Sequence, residues 1–310
     1  MNAPPPAGPD ARERLRAAPL TVLGQLLDSS NTTLLTRLDD GSGEHAIYKP
    51  VAGERPLWDF PDGQLAFREV ATYLVAIAGG WDVVPPTVLR DGPFGPGSVQ
   101  RWVTAVPTDD VPHHLPGGGP GDVPGGGPAV RGAGPAIGEE IEVDTDVEHS
   151  DRYVDFFAPE ELPAGWLPVL SGQLQDGGQV VVAHADRDDL RSVAVLDAVL
   201  NNSDRKGSHL LSGTDGRLWC IDHGVTLHAQ DKLRTVLWGW AGQRLRSADR
   251  RHLEQLAECL APQAPLPGTL RELLTGDEIE ALRRRVARLL REGRHPHPSP
   301  GWPSVPWPAL

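Results

Sequence analysis

The sequence has little of what marks secreted, membrane-spanning or metal-cluster proteins. Two cysteines, Cys220 and Cys259, are present in 310 residues, which excludes a disulfide framework and a cysteine metal site. No apolar stretch approaches the roughly 20 residues that cross a bilayer. Residues 1–16 carry proline and charge where a secretion signal needs an apolar run. We therefore expect a cytoplasmic protein in which both thiols are buried.

Positive charge is also scarce. Lysine and arginine total 29 against 42 acidic residues, which gives a net charge of -13. Such a chain repels nucleic acid phosphates and anionic lipid head groups, so we expect neither nucleic acid binding nor stable membrane association. The densest basic group, Arg283, Arg284, Arg285 and Arg288, is interpreted as the solvated face of a helix.

Glycine and proline, by contrast, are concentrated in one region. They make up fifteen of the 26 residues from 112 to 137, and an acidic run follows, which predicts a flexible insertion over residues 105–150. The insertion separates a first part, residues 18–104, from a second part, residues 151–294. The flanking residues 1–17 and the Pro-rich tail 295–310, which contains Trp302 and Trp307, are predicted to be disordered.

The two parts differ in their hydrophobic periodicity. In the first part, short apolar runs separated by turn formers predict strands over 21–27, 33–38, 45–48, 87–89 and 99–103, and one helix over 64–78. In the second part, helical spacing recurs over 188–200, 248–260 and 277–291. The predicted fold is α+β and two-lobed, with a small antiparallel-sheet N-lobe that carries one helix, a mainly helical C-lobe, and a cleft between them.

Acidic and polar side chains cluster in the second part. Asp204 and His209 lie in a polar loop after the helix at 188–200, and a hairpin strand then leads to Asp222. Phosphoryl transfer needs such a cluster, because one carboxylate orients the attacking hydroxyl while other groups hold cations. The alternative is an ordinary turn between a helix and a hairpin, since Asn, Ser, Asp and Gly are turn formers.

Two segments of this cluster carry a family resemblance. Ser203-Asp-Arg-Lys-Gly-Ser-His209 and Ile221-Asp-His-Gly224 resemble the catalytic and metal-binding loops of the phosphatidylinositol 3-/4-kinase-like superfamily. Over about residues 20–240 the chain is similar to an uncharacterised actinobacterial family of that type. The resemblance implies a kinase-like fold with ATP and Mg²⁺, or Mn²⁺, as cofactors.

The resemblance also implies roles for individual residues. Asp204 and Arg205 would be the catalytic pair and Asp222 the principal metal ligand, and Asp197 is interpreted as a brace for Arg205. His209 stands where the superfamily pattern has an asparagine. As a metal ligand it would offer a softer nitrogen in place of the oxygen that Mg²⁺ prefers, which leaves the identity of the metal and the catalytic competence of the site open.

Nucleotide contacts are predicted in the first part. Lys49 resembles the strand lysine that holds phosphates in kinase-like folds, although a strand lysine by itself is usually solvent-exposed. Glu69 either pairs with this lysine or lies beside Arg68 on a wet helix face. The other predicted contacts are a phosphate-binding turn and a hinge for adenine, in which Trp102 could equally be a core residue: Ser29, Ser30, Asn31 and Thr32 in the turn, and Gln100, Trp102 and Val103 in the hinge.

These residues together predict ATP-dependent phosphoryl transfer. The acceptor is expected to be a protein hydroxyl or a small molecule, because so acidic a chain offers little to attract an anionic membrane. Two alternatives remain open. The same fold could transfer AMP from ATP bound in a flipped pose, or the protein could be a nucleotide-binding pseudokinase that acts as a regulatory module, which His209 favours.

Overall fold

The computed structural model describes residues 9–26, 31–55, 57, 60, 64–106, 130–131, 153–173, 178–300 and 303–310. Within these ranges the chain forms six α-helices and eleven strands. None of these helices is both long and apolar enough to pass through a membrane.

The N-lobe is an antiparallel sheet with strand order β4-β5-β3-β2-β1-β6. The strands are β1 Leu20–Leu26, β2 Leu34–Leu38, β3 His45–Pro50, β4 Thr87–Gly92, β5 Gly95–Arg101 and the short β6 Val130–Arg131. Side chains alternate between the two faces of a strand. In β3, Ala46 and Tyr48 are buried in the core on one face, so Lys49 projects from the other face.

Two helices accompany the sheet. Helix α1, Pro9–Ala17, buries Leu15 against Tyr48 and Val88. Arg90 Nη1 donates to the carbonyls of Leu15 and Ala18 at 3.0 and 2.6 Å, which satisfies acceptors at the end of α1. The predicted disorder of residues 1–17 is therefore wrong for residues 9–17. The helix was not predicted because its many polar, arginine-rich positions outnumber the few apolar residues of its buried face.

Helix α2, Leu65–Ala78, packs on β4 and β5 and also belongs to the core of the second lobe. Val70, Ala71 and Val75 share one hydrophobic cluster with residues of the C-lobe helices, among them α3 Asp188–Leu200, α4 Ser247–Cys259 and α6 Gly276–Glu292. A buried ion pair adds to this packing, because Arg68 Nη2 donates to Glu278 Oε1 at 2.6 Å. Helix α2 therefore joins the N-lobe to the core of the C-lobe, while the sheet keeps a separate apolar cluster with α1.

The C-lobe contains helices α3 to α6, with α5 at Pro265–Leu270, and two small sheets. Strands β7 Val154–Phe157, β8 Trp166–Gln173 and β9 Gln179–Ala185 form a sheet of order β7-β9-β8, and β10 Leu210–Ser212 pairs with β11 Leu218–Cys220. The predicted two-lobed α+β fold is confirmed. The three-stranded sheet was not predicted.

The Pro-rich tail packs on the C-lobe, so its predicted disorder is wrong for residues 295–300 and 303–310. Ala309 is fully buried in a cluster with Val154, Leu210 and Trp240. Trp307 is 78% exposed, and Trp302 lies outside the described residues. The predicted insertion lies almost wholly outside them too and stays a prediction.

The basic stretch of α6 is not a uniformly solvated face. Arg283 Nε donates to the carbonyl of Leu260 and Arg285 Nε to that of Val199, so these two arginines satisfy acceptors at the C-terminal ends of α4 and α3. The solvated interpretation is wrong for both. Of the predicted buried thiols, Cys220 is buried and Cys259 only partly so.

Candidate active site

The centre of the site is the side chain of Lys49. Its Nζ donates to Glu69 Oε1 at 2.6 Å and to Asp222 Oδ1 at 2.8 Å. The two acceptors come from different lobes, one from α2 and the other from the loop after β11. Lys49 therefore joins the sheet, the N-lobe helix and the C-lobe at one point of the cleft.

Glu69 is 2% exposed, so the alternative of a wet helix face is wrong. Burial raises the pKa of Glu69, and the Lys49 ammonium opposes that shift. Burial alone would lower the pKa of Lys49, but the carboxylates of Asp222 and Glu69 more than reverse this and raise it. Lys49 therefore remains a cation at neutral pH.

Asp222 adopts a left-handed backbone conformation with φ of 56°. Such a conformation is uncommon for a residue other than glycine and often marks a functional site. The next residue, His223, is fully buried and lies 2.8 Å from Arg205 Nη2 through its Nε2, which holds the loop in place. The side chain of Asp222 is 52% exposed, and the Lys49 ammonium holds its pKa well below the usual range.

His209 faces the second oxygen of Asp222. Its Nε2 lies 3.5 Å from Asp222 Oδ2. Burial lowers the pKa of His209 to about 4, so the imidazole is neutral at neutral pH and keeps a lone pair for a ligand.

Asp204 lies on the loop between α3 and β10. Its amide N–H donates to Asn202 Oδ1 at 3.1 Å, and its Oδ2 lies 3.3 Å from Lys206 Nζ. Burial raises the pKa of Asp204, with Lys206 opposing the shift. Sequence reasoning missed Lys206, and the signal that could have found it is a cation two residues after the proposed catalytic aspartate.

Arg205 is fully buried, so its predicted role as a catalytic residue in contact with the substrate is wrong. Its Nε and Nη2 donate to the carboxylate of Asp197 at 3.0 to 3.2 Å, and its Nη1 donates to the carbonyl of Ile221 at 3.3 Å. It thereby connects α3 to the residue before Asp222. Asp197 braces Arg205 as predicted, and Arg205 is a positioning residue without access to substrate.

The predicted phosphate-binding turn is only partly described. Ser29 and Ser30 lie outside the described residues. Asn31 Oδ1 accepts from the amide of Arg55 at 2.7 Å, and the amide of Thr32 donates to the carbonyl of Gly53 at 3.2 Å. These two groups already have partners within the lobe, so phosphate binding by the Thr32 amide is not supported.

The predictions for the hinge residues have different outcomes. Gln100 is paired through its backbone on both sides within the sheet, and its Nε2 donates to Thr87 Oγ1 at 2.9 Å. Its prediction as an adenine contact is therefore wrong. The half-buried Trp102 donates its amide to His45, whereas the backbone of Val103 has no hydrogen bond among the described residues. Val103 stays a candidate for the adenine edge.

A divalent cation fits the donors Asp222 and His209. Within the described ranges, no three His, Cys, Asp or Glu side chains form a ready-made metal cluster. Adjacent ligands of an octahedral Mg²⁺ lie about 3 Å apart, close to the 3.5 Å between Asp222 Oδ2 and His209 Nε2. Mg²⁺ in phosphotransferases takes its other ligands from phosphates and water, so two protein ligands suffice.

The comparisons with known proteins identify a family. No protein-family model matches the chain. The chain is 41% identical over 292 residues to "Protein Rv2133c" of Mycobacterium tuberculosis (strain ATCC 25618 / H37Rv), covering 94% of this chain and 92% of the relative. The chain belongs to the Rv2133c family. The mycobacterial source agrees with the predicted actinobacterial similarity, whereas membership of the phosphatidylinositol 3-/4-kinase-like superfamily is not confirmed.

Three solved structures resemble this member of the Rv2133c family at low identity. The Golgi casein kinase is 14% identical with a TM-score of 0.45, over 91% of this chain and 73% of the other. The same kinase with Mn/ADP bound is 11% identical with a TM-score of 0.47, over 91% and 74%. Hydra Fam20 with sugar is 13% identical with a TM-score of 0.48, over 90% and 86%. At these values the similarity carries no inference about the chemistry of the Rv2133c family.

One cavity of about 370 Å³ lies away from this site on the C-lobe. It is lined by Leu233, Trp238, Arg288, His295 and His297, among others, and includes none of the residues that surround Lys49. In this member of the Rv2133c family the side chain of Asp222 is 52% exposed and does not line that cavity.

Proposed function

We propose that the protein is an ATP-dependent phosphotransferase. The observation that carries the proposal is the position of Lys49 Nζ between Glu69 Oε1 and Asp222 Oδ1, at 2.6 and 2.8 Å. Glu69 is buried and Asp222 is half-exposed, so the ammonium of Lys49 is fixed by a buried carboxylate on one side and lies beside a solvent-exposed carboxylate on the other. A fixed cation of this kind suits the phosphates of a nucleotide.

Asp222 and His209 are the residues that would hold the divalent cation. When bound, the cation would neutralise charge on the phosphates as the γ-phosphoryl group is transferred. Asp222 contributes the hard oxygen donor and His209 the neutral nitrogen. A nitrogen donor favours Mn²⁺ over Mg²⁺, so we propose that activity is higher with Mn²⁺.

Asp204 would orient the acceptor. Its half-buried carboxylate would accept the hydrogen bond of the acceptor hydroxyl, whose oxygen attacks the γ-phosphorus as the bond to ADP breaks. Burial raises the pKa of Asp204, which makes the carboxylate a better proton acceptor. Lys206, 3.3 Å away, keeps the carboxylate ionised. We propose a protein hydroxyl or a small molecule as the acceptor.

A pseudokinase is the second candidate, because His209 supplies nitrogen where an oxygen ligand was expected. It would bind nucleotide through the same Lys49 but release no ADP. Transfer of AMP would be recognised by product mass, since the acceptor would gain one AMP group where a kinase adds one phosphate.

The test combines binding with turnover. Thermal unfolding is followed with ATP and either Mg²⁺ or Mn²⁺ for the wild type, Lys49→Ala and Asp222→Ala, while ADP release and product mass are measured for the wild type and Asp204→Asn. A ligand at 100 times its Kd stabilises the folded state by about 2.7 kcal/mol. We expect a shift only in the wild type and Asp204→Asn, and turnover only in the wild type. An unchanged melting temperature of the wild type with both cations would contradict nucleotide binding.

A control variant comes from the exposed ion pair of α4. Arg250 and Glu254 form an ion pair at 2.9 Å with both side chains 50% exposed, and their hydrogen bonds include none to Lys49, Glu69, Asp204, His209 or Asp222. Arg250→Ala should therefore keep both the ATP-dependent shift and the turnover of the wild type.

A further inference from the structure

The Pro-rich tail contacts the loop that carries Asp204 and His209. The amide of Gly207 donates to the carbonyl of Ala309 at 2.9 Å. A Cβ at Gly207 would lie 2.8 Å from Leu310 Cδ2 and 3.2 Å from Val154 Cβ. Because Gly207 lies three residues after Asp204 and two before His209, the tail contacts the middle of this loop.

A second contact reaches the segment that pairs with the same loop. The carbonyl of Ser304 accepts from the amide of Thr235 at 3.1 Å and from Trp238 Nε1 at 2.7 Å. Thr235 forms a parallel bridge with Arg205, and its Oγ1 donates to Asp197 Oδ2 at 3.1 Å. The tail thus contacts both backbone segments that enclose the Asp197–Arg205 pair.

Burial fixes the tail between these two contacts. Ala309 is 0% exposed, and Val305 and Leu310 pack against the core of the C-lobe. Residues 201–209 between α3 and β10 form one short 3₁₀ turn and the single-residue bridge of Arg205 to Thr235. A loop with so little regular structure depends on its neighbours for its position.

We infer that residues 303–310 are a positioning element of the active site, which sets the loop of Asp204 and His209 through Gly207 and Thr235. The kinetic part of this inference rests on the proposed phosphotransferase function. The structural part does not, because the position of the loop can be measured without turnover. Lys49 and Glu69 make none of these contacts, so the tail acts on transfer more than on the binding of ATP.

Gly207→Ala is the direct probe, because the added methyl group meets Leu310. Leu310→Ala removes the closer of the two obstacles, so the double variant should recover part of what Gly207→Ala loses. Trp307→Ala is the matched control in the same tail, since that side chain is 78% exposed. These point changes keep Ala309 and most of the buried tail, and a melting curve for each variant checks that it folds.

Two readouts separate positioning from general stability. Hydrogen exchange of the peptide that spans 201–211 should accelerate about tenfold in Gly207→Ala, with α4 and α6 unchanged. We expect kcat to fall roughly tenfold or more while the KM for ATP changes less than about twofold. The double variant should lie between Gly207→Ala and the wild type in both readouts, and Trp307→Ala should match the wild type.

The outcomes also separate this inference from the proposed function. Wild-type exchange over 201–211 in Gly207→Ala would overturn the positioning role, whatever the activity. A double variant no better than Gly207→Ala would overturn the contact with Leu310 as its cause. If the wild type shows no transfer at all, the proposed function fails, and the exchange data still decide whether the tail positions the loop.

Discussion

The ammonium of Lys49 lies 2.8 Å from the carboxylate of Asp222, although 173 positions separate the two residues in the sequence. One residue belongs to the sheet of the N-lobe and the other to the loop after β11 in the C-lobe. Opposite charges from two lobes define a point in the cleft where a charged ligand and a cation can be held together.

Glu69→Gln should weaken the hold on Lys49 at little cost in folding. The amide keeps the size of the side chain but removes the charge that faces Nζ at 2.6 Å. We expect kcat/KM for ATP to fall roughly 10-fold to 100-fold, because charged hydrogen bonds are about twice as strong as neutral ones. Steady-state kinetics measures the effect. Glu254→Gln, on an exposed face of α4, is the control, and equal kinetics for the two variants would contradict the role of Glu69.

His209→Asn should change the preferred metal. The substitution replaces a nitrogen ligand by an amide oxygen, and oxygen donors suit Mg²⁺ better than Mn²⁺. We expect the ratio of Mn²⁺-supported to Mg²⁺-supported activity to fall about tenfold or more. Titrating each metal at saturating ATP measures the ratio. His209→Ala should lose activity with both metals, and an unchanged ratio in His209→Asn would show that His209 is not a ligand.

Arg68→Ala should destabilise the whole protein. The guanidinium donates to Glu278 at 2.6 Å and to the carbonyl of Thr226 at 2.8 Å. The side chains of Arg68 and Glu278 are both almost fully buried. Removing one partner of a buried pair costs about 3 to 5 kcal/mol, because the other charge is left unpaired. Urea unfolding measures this change.

The matched control for Arg68→Ala is Glu254→Ala, which breaks an exposed i, i+4 pair on α4 while Arg250 keeps its hydrogen bond to the carbonyl of Leu290. Pairs of that kind contribute about 0.3 to 0.5 kcal/mol. A loss of the same size in both variants would mean that the Arg68 pair adds nothing to the contact between α2 and the C-lobe.

Stability should decline in mild acid because of His184. This histidine is fully buried, and its Nε2 accepts from the amide of Gly239 at 3.0 Å. Burial lowers its pKa from 6.5 to about 4. In the unfolded chain His184 is therefore protonated below about pH 6.5, whereas in the folded chain it is protonated only below about pH 4. The free energy of unfolding is accordingly highest above pH 6.5 and decreases as the pH falls to 4.

The expected loss from His184 is about 3 kcal/mol over that interval, since each pKa unit corresponds to about 1.4 kcal/mol. Unfolding free energies at pH 7 and pH 4.5 measure it. His184→Gln retains an acceptor for Gly239 but does not titrate, so its loss over the same interval should be smaller. Equal losses in the wild type and His184→Gln would contradict this origin of the acid sensitivity.

Much of the fold follows from local pattern. The strand and helix predictions of the N-lobe fall within a few residues of β1 to β5 and α2, because short apolar runs between turn formers and one helical stripe are signals within single segments. The pairing of Lys49 with Glu69 was predicted from the resemblance to kinase-like folds, because the periodicity of a single segment does not show which charged residues meet.

Other features depended on contacts that no segment shows by itself. Arg205 looked like a catalytic group because its sequence neighbour is Asp204, whereas its burial depends on Asp197 and His223 from elsewhere in the chain. The tail looked disordered because proline excludes regular structure. The backbone carbonyls of a Pro-rich segment still accept hydrogen bonds, and the carbonyls of Ser304 and Ala309 accept them from backbone amides of the C-lobe.

The apolar cluster shared by α2 and the C-lobe helices bears on how the protein melts. Neither lobe can lose its structure without exposing the surface that the other covers. Calorimetry should therefore record one cooperative unfolding transition that includes both lobes. A fragment that stops before residue 151 would expose the apolar face of α2 to water and self-associate.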